Sequence, residues 1–119
     1  MNHELTFEPP NLLVMRLKGE WKPEDVLYLN DRAMELAGDL REVTFLLDGT
    51  ELESIPPKTR EYLVKYRTPF TYLKMALLTK HARMKVLGML ILKMLPAIKK
   101  SRYFEDEAQA RAWLGEVKE

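Results

Sequence analysis

The sequence predicts an α/β fold, a mixed sheet of about five strands with four helices in the order ββαβαβαβα. Three observations predict it. Val43-Thr44-Phe45-Leu46-Leu47 is a short apolar run rich in β-formers, the pattern of a central strand covered on both faces. Helical patterns lie on either side of it, and strand patterns lie beyond those. Strands alternating with helices imply right-handed crossovers and a mostly parallel sheet, with the first strand antiparallel at the edge.

Each element has its own local cause. Leu5–Glu8 reads as a short strand ended by Pro9-Pro10, and Leu12–Leu17 as its hairpin partner across a turn at Asn11; a proline-containing turn suits a sheet edge. Pro23 opens the first helix, where its missing N–H costs nothing, and Glu24 and Asp25 follow at the positive end of the dipole. Val26, Leu29, Ala33, Leu36 and Ala37 recur at helical spacing, and Gly38 ends the run. Asp48-Gly49 is expected to stop the central strand as a turn. Pro56-Pro57 begins the second helix, whose apolar stripe is Tyr62, Leu63 and Tyr66 and which Thr68-Pro69 halts. Tyr72–Thr79 is the next strand. The third helix runs from about Lys80 to Leu95, with Pro96 ending it. Ser101–Phe104 is a last short strand. Asp106 caps the final helix, Gln109 completes a capping-box pattern, and Ala110, Trp113, Leu114 and Val117 form its core stripe.

A chain of 119 residues is read as a single domain, residues 1–119. An apolar share of 46% and a charged share of 31% are those of an ordinary globule. A net charge of +1, with basic residues read as scattered and matched by acidic ones, points away from nucleic acid. There is no cysteine, hence no disulfide framework, thiol nucleophile or thiolate metal site. The start Met1-Asn2-His3-Glu4 lacks a signal pattern. The longest apolar stretch, Val86–Leu92, is far short of the ~20 residues that span a bilayer. A cytoplasmic protein without a membrane span is the expectation.

One segment carries a family resemblance. Met75-Ala76-Leu77-Leu78 is followed by a helix, then by Arg102-Tyr103-Phe104-Glu105, then by Glu107-Ala108 and a close on Ala112-Trp113-Leu114. In that order and spacing the chain resembles the STAS-type fold of anti-sigma factor antagonists, and more closely the SpoIIAA-like family, related in fold to lipid-binding Sec14 domains. The resemblance implies a regulator rather than an enzyme; no catalytic or cofactor motif rises above background in the sequence, so no catalytic residue and no cofactor is expected. In STAS antagonists a serine opening the helix after the central strand accepts a phosphate. The matching positions here read Pro56-Pro57-Lys58-Thr59, without the Asp-Ser-Ser of that switch. Thr59 is the nearest hydroxyl and so the candidate phosphoacceptor; Ser54 lies upstream. A phosphate on Thr59 would meet free N–H groups of the first turn, beside Lys58 and Arg60; the alternative is a solvated first-turn threonine.

Other candidates come from single residues. Asp48, with Glu51 and Glu53, ends a strand where open α/β sheets place ligands, or is a turn aspartate bonding its own loop. His81, at the start of the third helix, lacks a nameable nucleophile or orienting partner and reads as a solvated helix-end residue. His3 sits in a terminus expected to fray.

The third helix is the anomaly. From Met84 to Leu95, nine of twelve residues are Met, Val, Leu or Ile. Met84, Leu87, Ile91, Met94 and Leu95 share one face and suffice to pack on the sheet. Val86, Met89 and Leu92 then fall on the other side, flanked by Lys85 and Lys93, and these five residues are the expected interaction surface. Something should cover them: a second copy of the chain, a protein partner or apolar ligand, or the following connection of the same chain. An anionic membrane surface would also suit Lys85 and Lys93, with Lys99, Lys100 and Arg102 nearby. The leading expectation is a non-enzymatic interaction or regulatory module, homodimeric through this helix. The alternative is a Sec14-like binder or carrier of an apolar ligand or lipid, which requires a cavity between the third helix and the sheet.

Overall fold

The structure is a computed structural model that describes residues 2–95 and 97–116. Pro96, expected to end the third helix, and Val117, expected on the last apolar stripe, lie outside the described residues. The order is β1 (Glu4–Glu8), β2 (Leu12–Glu20), α1 (Pro23–Ala37), β3 (Glu42–Ser54), α2 (Pro57–Lys65), β4 (Thr71–Leu78), α3 (Ala82–Lys93), β5 (Ser101–Phe104) and α4 (Glu107–Leu114). The ββαβαβαβα order is thus the one expected.

The five strands lie side by side in chain order, β1-β2-β3-β4-β5. Only the β1–β2 pair is antiparallel; the others are parallel. Crossovers of one hand stepping in one direction put their helices on one face. Accordingly α1, α2 and α3 share a core with Leu13, Met15, Leu17, Phe45, Met75 and Leu77. The other face, with Val14, Leu46, Ala76 and Leu78, is covered by α4 through Ala110 and Leu114. Pleating sends alternate residues of each strand to opposite sides, so both sets come from the same short runs.

Helix ends follow their sequence cues. The Asp25 carboxylate accepts the Lys22 N–H at 3.0 Å, and Asp106 accepts the Ala108 N–H at 2.9 Å. Gly38, with φ of +61°, closes α1.

The central strand differs from expectation. Asp48-Gly49 does not stop β3, which runs on to Ser54. Past Asp48 it parts from β4 and continues beside β2 alone, pairing Lys18 with Glu51 and Gly19 with Leu52 across register shifts. Leu52 is buried there, so an apolar side chain and a free β2 partner draw the backbone onward.

A chain of ion pairs fastens α4 to the sheet. Arg16 holds Asp48 at 2.7 Å and both Glu107 oxygens at 2.9 and 3.0 Å. Arg111 holds Glu107 at 2.9 Å and both Glu8 oxygens at 2.9 and 3.0 Å. The Arg16 bond, then the Arg111 bond, pulls the Glu107 carboxyl down to about 2, and Arg111 lowers Glu8. A carboxyl lowered in the folded state stabilises it above its unfolded pKa and loses that contribution as pH falls through the folded value. Stability should therefore decline between about pH 4.5 and 2. With these side chains about one third exposed, solvent screening limits the loss from Glu107 to about 1 kcal/mol. Urea midpoints measured across that window check it, and Glu107→Gln should flatten the decline.

Candidate functional site

Between the sheet and its α1–α3 cover lies an apolar cavity of about 100 Å³. Its floor is Phe45, Met75 and Leu77 of the sheet; one wall is Trp21 together with Val26, Leu29 and Ala33 of α1; its roof is Met84, Gly88, Ile91 and Leu92 of α3. Gly88 explains the shape. A methyl group there would sit 2.6 Å from Leu77 Cδ2, so α3 touches the sheet at its one residue without a side chain. Its long side chains then stand over a space they leave unfilled. Interiors are normally packed to crystal density, and a dry cavity of ~150 Å³ is enough to hold benzene.

Apart from the Trp21 indole, the polar side chains lining this space have partners or accept a bond. Thr68 Oγ1 and the Tyr72 hydroxyl lie 2.7 Å apart, and burial raises the Tyr72 phenol, keeping it neutral. Asn30 donates to the Tyr66 carbonyl at 2.7 Å. Thr79 Oγ1 accepts the His81 N–H at 3.2 Å. The Trp21 indole N–H meets no acceptor, but it is itself covered by protein atoms and offers nothing to an occupant. What the cavity presents is hydrocarbon, so it selects by apolar area rather than by hydrogen bonds.

The cavity continues into a shallower cleft. Asn30, Leu63, Thr68, Tyr72 and Leu95 line both spaces, and Tyr66, Arg67 and Ala97 complete the outer one. The two spaces thus adjoin where Leu63 of α2, Thr68 and Tyr72 meet Leu95.

Of the surface expected on α3, part stands and part is corrected. Val86, Lys85 and Lys93 are exposed, and Lys85 lies 4.3 Å over the Tyr103 ring. Leu92, however, is only 6% exposed, and Met89 is half-buried against the core. In their place Leu90 and Met94, the latter expected on the sheet side, are 56% and 53% exposed, beside Val86 at 61%. The helix is rolled toward Gly88, because close approach at a glycine outweighs centring the larger side chains on the sheet.

Thr59 is also corrected, in both of its readings. It is fully buried, and its hydroxyl donates to the Trp21 carbonyl, so it is neither a solvated threonine nor an accessible phosphoacceptor. Asp48 is buried, paired with Arg16, and its other oxygen accepts the Thr50 N–H and hydroxyl; this is the loop-bonding role, and Glu51 and Glu53 point into solvent. Among the described residues no group of three His, Cys, Asp or Glu could hold a metal ion. His81 is exposed at the start of α3. His3 does not fray: its side chain is 2% exposed, its Nδ1 accepts the Lys18 N–H, and its Nε2 therefore carries the hydrogen donated to Asp25 at 3.0 Å.

The cavity is the one that the apolar-ligand alternative requires, though its lining leaves no mark in sequence beyond Gly88. Arg67 escaped sequence reasoning although a mark exists: from Tyr62 to Phe104 there is no Asp or Glu, against ten Lys or Arg. The chain's +1 thus conceals a +10 stretch offset by −9 elsewhere, since the remaining nine basic residues meet all eighteen acids. Scanning charge by segment rather than by total finds it.

Among the described residues no helix is long and apolar enough to cross a membrane. No curated protein shows significant sequence similarity. The chain is similar to the structure of an uncharacterised protein of the DUF3478 family with a SpoIIAA-like fold from Shewanella loihica PV-4, with a TM-score of 0.68 at 19% identity over 94% of this chain and 91% of that one. The SpoIIAA-like family model matches residues 12–115. With the match spanning nearly the whole of the sheet and all four helices, the chain belongs to the SpoIIAA-like family.

Proposed function

We propose that the chain is a non-enzymatic binding module that holds an apolar molecule beneath α3. The cavity carries this reading: about 100 Å³ of space walled by hydrocarbon, roofed by one short helix. A space of that size, below the ~150 Å³ that holds benzene, accepts a short chain as it stands; a ring or a longer molecule needs α3 to lift. Organic extraction of the freshly purified protein followed by mass spectrometry tests it. An apolar compound recovered in stoichiometric amount supports binding. Extracts matching those of a variant with the cavity filled would remove the reading.

A second reading rests on the outer side of the same helix. Val86, Leu90 and Met94 stand one turn apart and exposed, which favours a protein contact there, as for an interaction or regulatory module. Self-association is its least favourable form. An isologous contact brings two α3 helices together, each carrying Arg83, Lys85 and Lys93 and no carboxylate to answer the other's charges. If the chain nevertheless dimerises on this face, Leu90→Asp should return it to a monomer in sedimentation at low concentration. The two readings join if an occupant, by lifting α3, changes the surface a partner meets.

A further inference from the structure

We infer that the molecule held in the cavity is an acyl chain with an anionic head, a carboxylate, and that Arg67 binds that head at the cavity mouth. This rests on the binding reading above and adds the chemical class of the ligand.

The path fixes where a head group must sit. A chain buried against Leu77 and Ile91 that follows the walls common to cavity and cleft passes Thr68 and Leu95, and there it meets Arg67. Arg67 is exposed, and its Nε donates to the Val64 carbonyl at 2.8 Å. That bond uses Nε and leaves both terminal nitrogens of the fork to an incoming acceptor. Among the described residues no carboxylate pairs with it. A guanidinium fork matches a carboxylate in two parallel hydrogen bonds.

The surroundings sharpen the choice. The segments that form the mouth belong to the acid-free stretch from Tyr62 to Phe104. Lys65 lies two residues before Arg67, and Lys99, whose backbone N–H bonds the Tyr72 carbonyl at 2.9 Å, lies two residues past Ala97 of the cleft. A cationic head is repelled there. A neutral hydroxyl gains little, because the rim's own polar groups, Thr68 with Tyr72 and Asn30 with Tyr66, already satisfy one another. An anion gains both a fork and a positive field.

Three probes of one chain length separate head from tail: octanoate, 1-octanol and octyltrimethylammonium, each titrated at neutral pH with Trp21 emission as the readout in a Trp113→Phe background. Octanoate should bind about fivefold tighter than octanol, the strength of a partly solvated ion pair, and the advantage should shrink in high salt. Arg67→Ala should remove the advantage while leaving octanol affinity unchanged, and Arg67→Lys should keep part of it. Equal affinity for octanoate and octanol, equal binding of the ammonium probe, or an Arg67→Ala loss common to octanoate and octanol would overturn the assignment of the head group and leave the cavity reading standing. No saturable response to any of the three would overturn both.

Discussion

Thr59→Glu should destabilise the chain by about 4 kcal/mol, the usual cost of an unpaired buried charge, and so remove much of a total stability of the order of 5–15 kcal/mol. Thr59 has no exposed surface. Its hydroxyl donates to the Trp21 carbonyl and so joins the first turn of α2 to the chain between β2 and α1. A carboxylate at that point loses its water and sets like partial charges, its own oxygens and the Trp21 carbonyl, against each other. Lys58 gives no relief, because it faces Glu61 in solvent at 3.5 Å. Thr59→Ser keeps the hydroxyl and should melt within a few degrees of the parent. Thermal melts followed by circular dichroism check both. A Thr59→Glu variant that melts like the parent would mean the side chain reaches water, and phosphorylation at this position would again be open.

Ala33→Leu should abolish ligand binding without unfolding the protein. Ala33 lines the cavity from α1 and is itself buried. Leucine keeps the helix propensity nearly unchanged and sends an isobutyl group into the open space. Filling about 100 Å³ at ~24 cal/mol per Å³ has an upper value of about 2 kcal/mol, and imperfect fit takes back part of it. The expected net effect is a gain of about 1 kcal/mol, a rise of roughly 5 °C in melting temperature. Affinity for octanol should fall beyond detection in the same variant. A variant that binds octanol as the parent does would place the binding elsewhere.

The sequence was most legible where backbone rules act alone. Pro23, Pro57 and Asp106 mark helix starts because a missing N–H or a capping carboxylate suits those positions in any surroundings. Val43–Leu47 reads as a buried central strand, since only a strand with covered faces is apolar without alternation. Reading failed where tertiary contacts decide. Asp48-Gly49 looks like a stop, yet β2 still offered an edge for Leu52 to follow. His3 looks like a frayed terminus, yet Asp25 and the Lys18 N–H hold both ring nitrogens. Thr59 has the composition of a surface turn and the position of a buried tie.

The third helix shows the same limit most plainly. Its double-sided apolar character is written in the sequence, but the division of residues between the two sides is not. Periodicity weights large side chains by their hydrophobicity, and Gly88 has none to weigh. In the fold it is the point of contact with Leu77, and rolling the helix about that point buries Leu92 and exposes Met94. The cavity then follows from what a glycine at the contact leaves unfilled, a volume that no residue pattern expresses.

Titrating 1-octanol into the Trp113→Phe protein, and into the same protein carrying Ala33→Leu, tests most directly whether the space under α3 is a binding site. Trp21 lines that space, so its emission should change along a saturating curve in the first protein and stay flat in the second. A response that never saturates, or that is the same in both proteins, would contradict the account.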